Sequence, residues 1–361
     1  MADFFKSMED LKRPDALVWI AVAAGFLLAA MTRMSGYEVL YNVFLFCASL
    51  ILLLKAAEYL VDGSSGIAAH LGISSIIIGM TVVAFGTSLP ELMVSMLANL
   101  VGSSGISIGN VVGSNISNIC LVLGLAALIM PIKVSKEVFR FDMPFLMGVS
   151  VLLLFLSLCT LLDFYCSGYV IGLIDGVIML SLFAFFMYVQ VSSVHPSQRR
   201  EKAKHRKERR GLVIHVILVL GGLAGVIVSA WLLVDSGRSL AMLFGVPEVI
   251  IGLTIIAIGT SLPELATNIV AALKRKYDIA IGNIVGSNIF NILLILGTAS
   301  VIKPIESIRE TVVMIDMPVM IGLTVLLFVL MRTGYVVSRR DGILLVSLYI
   351  IYIAYLFVRM G

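Results

Sequence analysis

Residues 79–124 read GMTVVAFGTSLPELMVSMLANLVGSSGISIGNVVGSNISNICLVLG, and residues 252–297 read GLTIIAIGTSLPELATNIVAALKRKYDIAIGNIVGSNIFNILLILG. At a constant offset of 173 residues, without gaps, 26 of the 46 aligned positions are identical. Each copy places one glutamate, Glu91 or Glu264, in strongly apolar surroundings. Two equivalent carboxylates at membrane depth indicate one cation site that is assembled from two related halves.

The composition is that of a protein that crosses a membrane many times. The 361 residues are 60% hydrophobic and 13% charged, and the mean hydropathy is +1.08, whereas a soluble domain is about 25% charged. The four cysteines form no CxxC or Cys/His pattern, so neither a disulfide framework nor a zinc site is indicated. We therefore expect a multi-pass protein of the cell membrane, in a bacterial or archaeal inner membrane, with no cofactor.

A bilayer core requires about 20 apolar residues for each helical span. The chain contains eleven such runs, at residues 16–34, 38–62, 73–100, 106–130, 143–162, 168–192, 212–236, 249–273, 279–302, 314–331 and 341–358. Between the sixth and seventh runs lies the basic segment 193–211, which includes SQRREKAKHRKERR. It is too short for a folded domain, and a cytoplasmic loop is favoured over a nucleic-acid-binding segment.

The distribution of basic residues sets the predicted orientation. With the 193–211 loop in the cytoplasm, 21 of the 26 Lys and Arg residues fall on the cytoplasmic side, as the positive-inside rule expects. The five on the outer side are Arg33, Arg238, Lys303, Arg309 and Arg359. The N-terminus is then predicted to be cytoplasmic and, because the number of spans is odd, the C-terminus external.

The repeat extends well beyond the two best-matched stretches. Matching pairs outside them are Val61-Asp62 with Val234-Asp235, Asp142-Met143-Pro144 with Asp316-Met317-Pro318, and Tyr169 and Asp175 with Tyr335 and Asp341. Five spans in residues 38–192 are thus repeated as five spans in residues 212–361. An odd number of crossings in each repeat places the two copies in opposite orientations, the inverted-repeat plan of secondary transporters. The predicted fold is an all-α polytopic membrane protein.

The N-terminal segment, residues 1–37, carries a span without a repeat partner. Its counterpart would fall in the basic loop. A cleaved signal sequence is one interpretation of residues 16–34. A retained extra helix is favoured, because the apolar region is long and no A-x-A cleavage site follows.

The motif GTSLPEL occurs at residues 86–92 and again at 259–265. Proline has no N–H and its ring crowds the carbonyl four residues back, so Pro90 and Pro263 each predict a helix break near the bilayer centre. Backbone broken at that depth is tolerated where it faces protein or a wet cavity. Carbonyl oxygens freed there, with neighbouring hydroxyl groups, are candidate cation ligands. The hydroxyl groups belong to Thr87, Ser88, Thr260 and Ser261.

The motif GNxxGSNxxN follows in each copy, at residues 109–118 and 282–291. Glycines four residues apart allow two helices to approach closely. On one helical face of each copy, a serine precedes an asparagine by one turn, and these residues are candidate ligands: Ser114, Asn118, Ser287 and Asn291. Four further asparagines are equally consistent with ion ligands and with hydrogen bonds between helices: Asn110, Asn115, Asn283 and Asn288.

The candidate ligands are carboxylate, hydroxyl, amide and carbonyl oxygens, with no His or Cys. Such a set suits Ca²⁺ and Na⁺ rather than zinc or copper. Two carboxylates neutralise one Ca²⁺ or two Na⁺, and a third Na⁺ would leave an excess positive charge.

Both motifs, each present in two inverted copies, closely resemble the α-repeats of the cation/Ca²⁺ antiporter superfamily, and most of all those of prokaryotic sodium/calcium exchangers. The resemblance covers residues 38–358. It implies Ca²⁺ binding by Glu91, Thr87, Glu264 and Thr260. It implies Na⁺ binding by Ser88, Ser261, Ser114, Ser287 and the carbonyl groups of Ala84 and Ala257.

In some relatives, including the potassium-dependent exchangers, aspartate stands at the position of Asn291, so the asparagine here argues against potassium coupling. Resemblance to members that exchange three Na⁺ for one Ca²⁺ implies that the cycle moves net charge.

Three functions compete at this stage. A Na⁺/Ca²⁺ antiporter is favoured over a Ca²⁺/H⁺ antiporter, because protons need no cage of neutral oxygens. An intramembrane serine hydrolase is disfavoured, because no base such as His lies near Ser88 or Ser261 in the sequence. No nucleic-acid or protein partner is implied.

Overall fold

The computed structural model describes residues 14–158, 169–192, 209–245 and 259–360. Nearly all of these residues are helical, as predicted. The helices are α1 (Pro14–Met34), α2 (Glu38–Leu71), α3 (Ser75–Thr87), α4 (Leu89–Leu100), α5 (Ser104–Ile129), α6 (Val138–Leu158), α7 (Leu173–Ser192), α8 (Arg209–Leu243), α9 (Leu262–Leu273), α10 (Tyr277–Ile302), α11 (Val312–Arg332) and α12 (Arg339–Met360). The strands are β1 (Ile132–Lys133), β2 (Tyr169–Ile171), β3 (Ile305–Ile308) and β4 (Val336–Val337).

Nine helices among the described residues are long and apolar enough to cross a membrane, and the bent pair α3–α4 makes a tenth such span. These ten correspond one for one to predicted spans, which confirms the class of fold. The predicted span 249–273 is represented by α9 alone, since residues 246–258 lie outside the described ranges. Part of the predicted basic loop, residues 193–208, also lies outside them.

Two small antiparallel sheets, which the sequence did not predict, join the loops of one repeat to those of the other. Strand β1 pairs with β4, and β2 pairs with β3. Since β3 is the repeat equivalent of β1 and β4 that of β2, the two sheets are copies of one another. The first joins two loops that the distribution of charge places on the cytoplasmic side, and the second joins two loops placed outside. The pairings agree with the predicted alternation of sides.

Helix contacts repeat in the same reciprocal way. A Cβ built on Gly342 of α12 would lie 2.7 Å from the carbonyl oxygen of Gly124 in α5. A Cβ built on Gly176 of α7 would lie 2.8 Å from the carbonyl oxygen of Gly297 in α10. Each contact is the repeat equivalent of the other, as a two-fold relation between the copies requires.

The buried apolar side chains form two clusters. The larger one draws mainly on α5, α6, α7, α10, α11 and α12. The smaller one joins the long helices α2 and α8 to α9 and to parts of α3 and α10. An ionic cluster, defined here as Lys55, Glu58, Asp62 and Lys274, ties α2 to the residue after α9. Its Lys274 Nζ lies 2.8 Å from Glu58 and 2.6 Å from Asp62.

The helix α1 packs along α2, and this contact involves aromatic residues at the edge of the bundle. The Trp19 indole stacks on the Tyr59 ring, and its Nε1 donates a hydrogen bond of 3.0 Å to the Tyr59 hydroxyl. The predicted extra helix is therefore a helix in the structure, in contact with the first element of the repeat.

Candidate ion-binding site

The predicted helix breaks are found at the same position in both repeats. Helix α3 ends at Thr87 and α4 begins at Leu89, with a bend of 46° between them. Ser88 between them has φ −84° and ψ 5°, and its equivalent Ser261 has φ −87° and ψ 4°, directly before α9. Each proline lies at the second residue of its new helix, where its missing N–H costs no hydrogen bond.

The break places each glutamate in the first turn of a helix. Glu91 lies in the first turn of α4 and Glu264 in the first turn of α9, and each is 1% exposed. The backbone N–H groups and the dipole at a helix N-terminus stabilise a negative charge. A proline followed directly by a glutamate therefore does two things at once: it breaks the helix and seats the carboxylate at the positive end of the next one.

The two repeats meet through these carboxylates. The Ser88 hydroxyl donates a hydrogen bond of 3.2 Å to Glu264 Oε1, and the Thr87 and Ser287 hydroxyls lie beside the same carboxylate. The Thr260 hydroxyl lies beside the Glu91 carboxylate without a well-formed hydrogen bond. Each glutamate is thus approached by the threonine of the other repeat.

Many oxygen atoms in this region are buried and have no hydrogen-bond partner. Seven of them belong to predicted ligands: Glu91 Oε2, Glu264 Oε2, Asn118 Oδ1, Asn291 Oδ1, Thr260 Oγ1, Ser261 Oγ and Ser287 Oγ. Buried oxygen atoms in native proteins are nearly always paired, because an unpaired one loses its hydration without compensation. An unpaired set of carboxylate, amide and hydroxyl oxygens fits a dehydrated hard cation.

Three further predicted ligands are Ser114 and the carbonyl groups of Ala84 and Ala257. Ser114 is 4% exposed and lies on α5 one turn before Asn118. The Ala84 carbonyl accepts a hydrogen bond of 3.0 Å from the Ser88 N–H and a longer one of 3.4 Å from the Thr87 hydroxyl. Ala257 lies outside the described residues.

The four asparagines with two possible roles all make contacts between helices. Asn115 Oδ1 accepts a hydrogen bond of 3.1 Å from Asn291 Nδ2, and Asn288 Oδ1 accepts one of 3.1 Å from Asn118 Nδ2. Asn283 Oδ1 accepts from the Thr87 hydroxyl at 3.2 Å. Asn110 Nδ2 donates to Ser95 Oγ at 2.9 Å and to the Glu91 carbonyl at 3.2 Å. The occurrence of these asparagines in both copies indicated that they have a role. It could not distinguish hydrogen bonds between helices from ion binding.

Close helix approach at the glycine pair is found in the second repeat. A Cβ on Gly282 would lie 2.8 Å from the Ile76 carbonyl oxygen, and one on Gly286 would lie 2.8 Å from Met80 Cα. For Gly109 and Gly113 no described atom lies within 4 Å of such a Cβ. Their counterpart neighbours would come from residues 249–257, outside the described ranges.

The fixed charge around the two glutamates is low. In the part of the chain that the structure describes, no group of three His, Cys, Asp or Glu residues could hold a metal ion. None of the ion pairs between described residues involves Glu91 or Glu264. The arrangement is therefore two carboxylates among neutral oxygens.

Known proteins carry the same pattern over nearly the whole chain. A family model described as sodium/calcium exchanger protein matches residues 41–192 and 214–358. The chain belongs to the sodium/calcium exchanger family.

Individual relatives agree with this assignment. The chain is 32% identical to a sodium/calcium exchanger of Methanosarcina acetivorans, over 88% of this chain and 98% of the relative. It is 36% identical to an inner membrane protein of Escherichia coli, over 87% and 96%. A solved structure of the sodium-calcium exchanger NCX_Mj superposes with a TM-score of 0.75 at 35% identity, covering 87% of this chain and 98% of that one.

The assignment confirms the predicted class of protein. This exchanger is a multi-pass membrane transporter and not an enzyme, so the hydrolase hypothesis is excluded.

Proposed function

We propose that the chain is a secondary antiporter that exchanges Na⁺ for Ca²⁺ by alternating access, moves net charge in each cycle and does not require K⁺. The observation that carries the proposal is the pair of buried carboxylates, Glu91 and Glu264, surrounded by unpaired neutral oxygens from both repeats. The proposed substrates are those for which the M. acetivorans relative and the NCX_Mj structure are named.

The proposed Ca²⁺ ligands are the two glutamates with Thr87 and Thr260. The proposed Na⁺ ligands are Ser88, Ser261, Ser114, Ser287 and the carbonyl groups of Ala84 and Ala257. The amide oxygens of Asn118 and Asn291 complete the set. Na⁺ and Ca²⁺ would compete for the site because they share the two glutamates. A Na⁺ bound at either carboxylate would lower the affinity for Ca²⁺, and a bound Ca²⁺ would lower the affinity for Na⁺.

The charge of the proposed site supports both the movement of net charge and the absence of a K⁺ requirement. Two carboxylates with one Ca²⁺ are neutral, whereas with three Na⁺ the same site carries +1, so a cycle of this stoichiometry moves charge. A third carboxylate would change this balance, and position 291 is an asparagine. Neutral oxygens around each glutamate favour Na⁺ over H⁺, since a proton would bind the carboxylate without them.

The test is ⁴⁵Ca²⁺ uptake into proteoliposomes under imposed gradients. An outward Na⁺ gradient should drive uptake with choline as the only other monovalent cation, and adding K⁺ should leave the rate unchanged. An outward H⁺ gradient without Na⁺ should give no uptake above that of empty liposomes. Uptake that follows the pH gradient and ignores Na⁺ would establish a Ca²⁺/H⁺ antiporter instead.

A further inference from the structure

Resting on that proposed function, we infer that Asn115 and Asn288 are positioning residues for the ion site. Each holds the amide of an asparagine in the other repeat so that its oxygen is available to the ion. Asn115 holds Asn291, and Asn288 holds Asn118. Each repeat therefore orients a ligand of its partner.

The orientation of these amides matters because the two ends of an asparagine side chain are nearly alike in shape and opposite in function. The oxygen is an acceptor and a cation ligand, whereas the NH₂ group is only a donor and repels a cation. At Asn291 and Asn118 the Nδ2 atom is committed to the neighbouring asparagine, at 3.1 Å in both cases. The oxygens of these two amides are left buried and unpaired.

A reversed amide at position 291 would be doubly unfavourable. It would turn its oxygen toward Asn115 Oδ1, so that two acceptors faced each other, and it would present NH₂ where the oxygen now lies. Asn115 is itself held, because its Nδ2 lies 3.5 Å from Met320 Sδ. A thioether sulfur is a weak acceptor, but it is enough to leave Asn115 Oδ1 as the end that faces Asn291.

In the second pair, Asn288 and Asn118, Asn288 has no methionine equivalent to Met320 to hold its amide. Asp142 aligns with Asp316, which makes Leu146 the repeat equivalent of Met320, and a leucine accepts no hydrogen bond. All four asparagines are 1% exposed. The sequence identity of the two copies in this motif therefore conceals a difference in how firmly the two amides are held.

The test is a double-mutant cycle read by equilibrium ⁴⁵Ca²⁺ binding to the purified protein. Asn115→Ala should weaken Ca²⁺ binding by about threefold to tenfold, the loss expected when one hydrogen bond ceases to orient a ligand. In an Asn291→Ala background, the same substitution should cause no further loss, because the amide that it orients is gone. Additive losses would overturn the proposal, since they would mean that Asn115 acts independently of Asn291.

Asn99→Ala is the matched control. Asn99 is also buried, and its Nδ2 also bonds across the repeats, to the Ala299 carbonyl at 2.9 Å and the Lys303 carbonyl at 2.7 Å. Its loss should lower the melting temperature and leave Ca²⁺ affinity unchanged. If Asn115→Ala does the same, its role is structural and the positioning proposal is wrong.

Two further arms separate the outcomes. If Asn115→Ala does not purify as a folded protein, the cycle of Asn288→Ala with Asn118→Ala decides by the same criterion. Unchanged Ca²⁺ binding in Glu91→Gln would overturn the proposed site and the positioning role together. If Glu91→Gln loses Ca²⁺ binding as predicted and Asn115→Ala has no effect on it, the positioning role alone would be overturned.

Discussion

At the scale of single residues, the main feature is a charged side chain where the membrane is least tolerant of one. A carboxylate at the centre of a membrane helix costs at least about 2.5–3.5 kcal/mol on insertion scales, and this chain has two. Both lie in the first turn of a helix, where the helix dipole offsets part of that cost. A cation bound at the proposed site would offset the rest and would be coordinated by the surrounding unpaired oxygens.

We predict that Glu91→Gln and Glu264→Gln each weaken Ca²⁺ binding by at least about 100-fold, because removing one partner of a buried charge pair costs about 3–5 kcal/mol. In ion-free buffer each variant should melt no lower than the unmodified protein, since a buried charge has been removed. Equilibrium ⁴⁵Ca²⁺ binding and thermal melting measure the two effects. Glu137→Gln, at an exposed residue just before α6, is the control and should change neither. Near-normal Ca²⁺ affinity in either glutamine variant would refute a shared site.

We predict that Asn291→Asp retains Ca²⁺ binding and alters the coupling to monovalent ions. The substitution adds a carboxylate, and a carboxylate cannot donate the hydrogen bond that Asn291 Nδ2 makes to Asn115 Oδ1. The Na⁺ dependence of ⁴⁵Ca²⁺ flux, with and without K⁺, measures the coupling. Asn99→Asp places the same charge change outside the site and serves as the control. An unchanged Na⁺ dependence and no K⁺ effect would contradict the role of this position.

At the scale of elements, the helices near the site depart from regular α-helical geometry at equivalent places. Segments of π-helix, with i→i+5 hydrogen bonds, occur at Asn118–Val122 and Phe290–Leu296, and at Val138–Asp142 and Val312–Asp316. Such turns are rare and are often found at functional sites. The first pair contains Asn118 and Asn291, so the wider turn lies where an amide is to be aimed between helices. A fifth π-helical segment, Gly79–Val83, lies in α3, and its repeat equivalent lies outside the described residues. The sequence analysis predicted none of these segments, because no sequence period is typical of a π-helix.

We predict that Gly286→Ala destabilises the protein by about 1–3 kcal/mol, the usual cost of overpacking. The new methyl group would lie 2.8 Å from the Cα and carbonyl oxygen of Met80, and backbone atoms inside a packed helix cannot move aside. Gly322→Ala in α11 is the control, because nothing lies within 4 Å of its Cβ. Thermal melting of the two purified variants gives the comparison. Equal melting temperatures would show that the close approach of α10 to α3 is not needed.

At the scale of the whole molecule, many of the contacts that join the two copies occur in pairs. The sheets β1–β4 and β2–β3, the glycine contacts of α5 with α12 and of α10 with α7, and the two asparagine pairs all follow this rule. The ionic cluster is one of the contacts that do not. The repeat equivalent of Lys274 is Val101, so the ion pairs of Lys274 with Glu58 and Asp62 have no copy on the other side.

We predict that the N-terminus and residues 193–211 are cytoplasmic and that the C-terminus is external. This follows from the division of Lys and Arg into 21 inside and 5 outside. Single cysteines placed in the 193–211 loop and at Gly361, in a chain whose four native cysteines are replaced, should differ in labelling by a membrane-impermeant maleimide on intact cells. Only the C-terminal one should react. Equal protection of both would refute the odd number of spans.

We predict that transport depends on membrane potential and is faster when the potential drives positive charge in the direction of Na⁺ movement. The reason is the charge of the proposed site, which would be neutral with one Ca²⁺ and positive with three Na⁺. Flux in proteoliposomes is compared at several potentials clamped with valinomycin and K⁺, with Na⁺ replaced by choline as the control at each potential. A flux that is indifferent to the clamp would establish electroneutral exchange.

The sequence by itself determined the class of protein, the spans, the repeat and the two break points. These are properties of local chemistry: hydrophobic runs long enough for a bilayer, prolines that cannot continue a helix, and motifs that occur twice. It also identified which oxygen-bearing residues could bind a hard cation, because a carboxylate after a mid-membrane proline is costly unless it has a use.

Only the tertiary structure decided which of those residues face one another. Thr87 and Ser88 lie beside Glu264 of the other repeat and not beside the glutamate of their own motif. The hydrogen bond between Ser88 and Glu264 joins residues that are 176 positions apart in the sequence. The asparagines of one motif took different roles, since Asn118 and Asn291 keep unpaired oxygens and Asn115 and Asn288 accept from them. The physical reason is that a hydrogen bond between helices depends on rotation and depth, which are set by packing across the whole bundle. Repetition along the chain specifies that the contacts come in pairs, but not which atoms form them.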